Sequence, residues 1–143
     1  LLRNDFQKAH DKQTAYHVAF QLYEEYRPFI NDSAIYYLNR CIALATALGN
    51  QQRVDLCRSW LALRCSNSGM YNEALDILKM VNADEMDENA RGIYYFAYVH
   101  VYGELAYYTH IASMRKRYEA EQARYKQLMY AVLPCYDNKS LRC

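Results

Sequence analysis

The sequence predicts an all-α chain: about three antiparallel helix pairs stacked as a helical-repeat solenoid. Three observations carry this. Only four Gly and two Pro occur in 143 residues, too few for the many turns of a sandwich or barrel. Apolar residues recur at three- and four-residue spacing along most of the chain, the period of an amphipathic helix. One short pattern also returns. Asp32-Ser33-Ala34-Ile35-Tyr36-Tyr37-Leu38 and Asn72-Glu73-Ala74-Leu75-Asp76-Ile77-Leu78 share the skeleton polar, polar, Ala, apolar, any, apolar, Leu, at a separation of 72 − 32 = 40 residues. A weaker echo stands at Glu121 to Leu128, with Ala123 and Leu128 in the matching places. Repeated helix pairs bury a continuous core only by stacking on one another.

The elements follow in order. Residues 1–12 are polar with scattered apolar positions and read as a preceding segment or a frayed start. From Gln13, a stripe of Ala15, Val18, Ala19, Leu22, Tyr23 and Tyr26 marks the first helix. Pro28 ends it, since proline removes a helical hydrogen bond and disfavours helix just before itself. Asn31-Asp32-Ser33 offers N-cap chemistry to a second helix carrying Ala34, Leu38, Cys41, Ile42, Ala45 and Leu48. Gly49-Asn50 stops that helix. A third runs from about Gln51 to Asn67 with Val54, Cys57, Trp60, Leu61 and Cys65 inward.

Gly69 then supplies the permissive backbone of a sharp turn. The fourth helix, from Tyr71 to about Val81, shows Tyr71, Ala74, Leu75 and Leu78 on one face. The acidic stretch Asn82 to Asn89 suits a loop and the start of a helix, where negative charge is favoured. The fifth helix, about Glu88 to Tyr108, is aromatic or aliphatic nearly all round, so helices are expected on several of its sides. A β-reading competes for this Tyr-rich run; about twenty residues without a turn signal decide for helix. The last helix spans about Ala112 to Leu133 and ends at Pro134. The resulting units are about 13–49, 51–82 and 88–134 of one domain. Opening on Leu1 and stopping in mid-pattern at Cys143, the chain reads as a piece of a longer protein.

Function is less legible. Charge is balanced, with 17 Lys and Arg against 16 Asp and Glu, so no net field is built to capture nucleic acid. No apolar run approaches the roughly 18 residues of a membrane span, so any membrane attachment is expected through flanking segments. The five cysteines (Cys41, Cys57, Cys65, Cys135, Cys143) include no Cys-x-x-Cys pair. Cys41 and Cys57 read as small core residues, and a Cys135–Cys143 disulfide is compatible with the spacing but not required by it. His10, His17, His100 and His110 are scattered, with no zinc-ligand spacing and no Gly-rich phosphate loop beside them. No catalytic residue, metal or cofactor is therefore assigned, and the chain is not expected to be an enzyme. Ser66 and Ser68 are expected to serve a helix end. The basic run Arg115-Lys116-Arg117, with Arg124 and Lys126, reads as a solvated face beside Glu119 and Glu121.

The hairpin Gly69, Tyr71, Ala74, Leu78 resembles the tetratricopeptide repeat, whose Gly-x-Tyr-x-x-Ala-x-x-x-Leu core these residues reproduce. The repeats are degenerate, because the usual period is about 34 residues and Asn31 stands where the first unit would have its Gly. The resemblance implies a right-handed superhelix. By its register, Ser59, Leu63, Ser66 and Asn67 would face a peptide-binding groove. Tyr98 and Tyr102 of the aromatic helix are the further binding candidates, since tyrosine combines a packing ring with a polar tip. Over residues 16–133 the sequence is also similar to a group of proteins of anaerobic gut bacteria. The matching stretches are Leu22 to Tyr26, Asp32 to Tyr37, Ser68 to Leu75 and Tyr94 to Tyr107. That resemblance implies the exported, periplasmic sensor region of a membrane-anchored regulator, with a cytoplasmic location as the alternative. Such a region would bind a protein or peptide partner, or associate with itself. The rival reading is a glycan-type small-ligand domain that uses Tyr rings as stacking platforms.

Overall fold

A computed structural model describes residues 11–26 and 31–132. Pro28, Leu133, Pro134, Cys135 and Cys143 lie outside the described residues, and with them the helix stops and the disulfide expected there. Among the described residues there are six α-helices and no strand: α1 Lys12–Tyr26, α2 Asn31–Ala47, α3 Gln51–Asn67, α4 Tyr71–Lys79, α5 Glu88–Tyr108 and α6 Ala112–Val132. Each helix packs on the next, and α3 also packs on α5. The arrangement is therefore three successive hairpins, α1–α2, α3–α4 and α5–α6.

Two turns are built alike. Gly49 (φ +71°) and Gly69 (φ +80°) both sit in the left-handed region that glycine enters without steric cost. At each, the glycine N–H returns to the carbonyl three residues back (Thr46, Ser66), and the next N–H returns to the carbonyl five back (Ala45, Cys65). This paired closure satisfies carbonyls that a helix end otherwise leaves unpartnered. After Gly49 the Asn50 side chain accepts from the Arg53 N–H and starts α3 immediately. Asp87 does the same for α5 by accepting from the Ala90 N–H at 2.8 Å.

Several details differ from expectation. The α2 helix already begins at Asn31, so Asp32 sits within its first turn and not ahead of it. The α4 helix stops at Lys79, and the acidic stretch folds into a 3-10 turn at Ala83–Glu85. Arg91 holds that turn, donating to the carbonyls of Ala83 and Met86. The α5 helix is less enclosed than its composition implies, since Phe96, Tyr107 and Tyr108 are exposed.

The central helix is α3, covered by α2, α4 and α5 and touched by Tyr16 and Tyr23 of α1. Nine of its seventeen residues are buried. Ala34, Leu38, Ala74 and Leu78 are all fully buried, so the small-and-large alternation of the repeat does seat two neighbouring units. Ala123 breaks the pattern. It is exposed, and Leu128 is only half-buried. The α6 helix instead turns Tyr118, Gln122, Tyr125 and Met129 toward α5, at spacings of four, three and four residues. The small residue at the closest approach is Gly103 on α5: a Cβ there would come within 2.6 Å of the Gln122 amide nitrogen. The close contact is made by the facing helix, so the alanine of α6 is not needed for it.

Candidate functional site

The expected groove residues are mostly interior. Ser59, Leu63 and Ser66 are buried within α3, because they lie on sides of the helix that its neighbours cover. Ser59 Oγ donates back to the Asp55 carbonyl at 3.1 Å. Of the four α3 candidates only Asn67 is exposed. Tyr98 is buried as well, and Tyr102 is half-buried. These side chains do not together line an open surface; that expectation is corrected.

Tyr98 and Tyr102 belong to an aromatic ladder between α5 and α6. Tyr98 stacks on Tyr125 with ring centroids 4.1 Å apart, Tyr94 meets Tyr98 edge-on at 5.2 Å, and Tyr102 reaches Tyr118 at 6.2 Å. Offset and edge contacts of this kind add to burial because ring faces are negative and ring edges positive. The Arg124 guanidinium lies over the Tyr125 ring at 4.4 Å while its Nη2 meets Glu121 Oε2 at 3.0 Å. Burial pushes the Tyr98 phenol well above its ordinary range, and the neighbouring Tyr94 adds to that. The ladder's faces are thus occupied by one another and by arginine, which leaves little ring area for a sugar to stack upon.

Two more arginines of the basic run are engaged, while Lys116 and Lys126 are exposed. Arg115 donates to the carbonyls of Ala106 and Thr109 and so closes the C-terminus of α5. Arg117 lies over Tyr118. An open pocket of about 230 Å³ lies where α3 and α5 start, lined by Asn50, Gln52, Arg53, Leu56, Met86, Asp87 and Ala90. Its one cation, Arg53, also covers the Tyr16 ring at 4.7 Å.

One cluster looks like chemistry at first sight. Ser66 Oγ is 2.9 Å from His100 Nδ1, and Glu104 Oε1 is 4.0 Å from His100 Nε2. Burial holds the imidazole below its ordinary pKa, with Glu104 opposing. A nucleophile must reach its substrate, however, and Ser66 is 1% exposed. Here the serine–histidine bond joins α3 to α5. The Ser66 hydroxyl makes this contact while its carbonyl accepts the Gly69 N–H at the helix end, and Ser68 occupies the C-cap of α3. Among the described residues no group of three His, Cys, Asp or Glu could hold a metal ion. None of the described helices is long and apolar enough to cross a membrane.

What is left open is an aromatic corner. The α4 start, the α5 end and the α5–α6 turn meet there. Tyr107 is 77% exposed, Tyr108 59% and Ile111 59%. Tyr107 and Tyr108 touch edge-on at 4.9 Å, and Tyr108 stacks at 6.5 Å on Tyr71, the repeat's own tyrosine. The all-round apolar pattern of α5 places Tyr107 and Tyr108 in the core; their position in the last turn before a solvent-facing loop is the signal against it.

The comparison with known families decides what this scaffold is. Residues 1–142 match the family described as the SusR N-terminal TPR domain. The chain belongs to that family. The match spans nearly the whole sequence, and with the three hairpins it makes this a tetratricopeptide-type helical-repeat solenoid. No curated protein and no solved structure matches the chain. Tetratricopeptide domains generally mediate contacts between proteins, using the extended surfaces that stacked helix pairs provide.

Proposed function

We propose that this SusR-type TPR domain is a non-catalytic recognition module: the sensing or interaction region of a bacterial membrane-anchored regulator. It binds a partner segment or a second copy of itself, and does so in the periplasm. The observation that carries this reading is the aromatic corner. The stacked tyrosines between α5 and α6 cover one another, whereas Tyr107, Tyr108 and Ile111 stay open beside Tyr71. Large amphipathic side chains clustered at an exposed site are the usual anchors of protein contacts. The glycan reading draws less support, because the stacked tyrosines of α5 and α6 cover each other.

The test replaces Tyr107 and Ile111 by lysine in the protein at its natural full length. Complex size is then compared by native sedimentation of gently solubilised cells. The expected result is loss of the larger species with helical content unchanged. An unchanged sedimentation profile would contradict the assignment of this corner.

A further inference from the structure

The α2–α3 hairpin carries a pair of thiols within its core. Cys41 and Cys57 stand eight residues before and eight after Gly49 (49 − 41 and 57 − 49), so an antiparallel pair sets them face to face. Both are fully buried in the same core cluster, and each thiol perturbs the other. The Tyr16 hydroxyl of α1 lies 3.5 Å from Cys57 Sγ and closes the site. We propose that Cys41 and Cys57 are a dithiol–disulfide couple, which closes under an oxidising low-molecular-weight disulfide to tie α2 to α3.

The step balances as thiol–disulfide exchange. Cys57 gives its proton to solvent and its thiolate attacks one sulfur of the external disulfide RSSR. The S–S bond of RSSR breaks, and one RS⁻ leaves and is protonated. Cys41, deprotonated in turn, attacks the Cys57 sulfur of the mixed disulfide and expels the second RS⁻. Two protein thiols are oxidised and RSSR is reduced to two RSH.

The order of attack follows from what surrounds each sulfur. The Cys41 thiol and the Tyr16 hydroxyl both lie against the Cys57 sulfur and favour its thiolate, with Arg53 adding to the effect. Cys41 is the harder to deprotonate, because Cys57 and burial both disfavour its thiolate. Access requires α1 to lift from α3, a local opening of a helix that packs on one side of the stack. Cys65 supplies the internal contrast. It lies eight residues beyond Cys57 on the same helix, and its mirror position across Gly49 is Ser33, which offers no sulfur.

The experiment incubates the folded, reduced protein with oxidised glutathione, alkylates remaining thiols in denaturant and maps the peptides by mass spectrometry. The expected result is a Cys41–Cys57 linkage, lighter by two hydrogens, at least about tenfold more abundant than any pairing that includes Cys65. Cys41→Ser is expected to leave Cys57 as a stable glutathione adduct. Should that variant not fold, the wild-type map decides alone. Recovery of Cys41 and Cys57 as alkylated free thiols, or their linkage only after unfolding, would overturn the proposal.

Discussion

Ala74 and Ala123 occupy the same place in the repeat pattern and opposite places in the molecule. Ala74 is fully buried where α4 meets its neighbours; Ala123 looks into water. Close-packed interiors resist added volume. Ala74→Leu is therefore expected to destabilise by about 1–3 kcal/mol, and Ala123→Leu to stay within about 0.5 kcal/mol of the parent. Urea unfolding followed by circular dichroism separates the two. Motif position alone could not distinguish them, because burial on α6 is decided by Gly103 and Gln122 of the α5–α6 contact, a pairing with no repeat counterpart. At the same scale, His100 makes stability depend on pH. Its pKa is lower folded than unfolded, so below the unfolded value, about 6.5, the unfolded chain binds more protons and stability falls. Acidification from neutral pH toward pH 5 should lower the thermal midpoint of the wild type more than that of His100→Asn. Equal slopes would show that the imidazole's burial is not felt.

Among the elements, α3 and α5 were legible almost to the residue, and for physical reasons. Gly49-Asn50 and Ser68-Gly69 punctuate α3, and Asp87 caps α5, each through a hydrogen bond whose chemistry is local. The end of α4 was not legible, because Lys79 to Val81 keeps its apolar rhythm while the chain leaves the helix to form the 3-10 turn that Arg91 gathers. The groove was misplaced for a related reason. Periodicity tells which residues share a face, but α3 has neighbours on more than one side, so even the face carrying Ser59 and Ser66 is covered. The turns themselves make a prediction. Gly69→Ala forces a side chain into φ +80° with nothing nearby to compensate, and should cost about 1–2 kcal/mol. Gly49→Ala should cost a similar amount, and the double variant should show the sum, since the two turns lie at opposite ends of α3. A marked excess over the sum would mean that the turns act as one unit.

Taken as one body, the protein divides its tyrosines between two tasks. The ladder of Tyr94, Tyr98, Tyr102, Tyr118 and Tyr125 welds the long final hairpin together, while Tyr107 and Tyr108 remain at its open end. Composition revealed the excess of tyrosine but not this division, which depends on where α6 lies across α5. Tyr125→Ala should therefore destabilise by about 1–3 kcal/mol, whereas Tyr107→Lys should leave stability nearly unchanged and act on recognition alone. Contact of the corner with a protein is open to photocrosslinking, with a benzophenone side chain placed at position 107 or 111 of the full-length protein in its own cells. The control positions are the exposed Lys116 and Glu119. A discrete adduct from 107 and 111, absent from 116 and 119 and identified as a second copy or one partner, is expected; no adduct, or the same adducts from all four positions, would refute the protein contact.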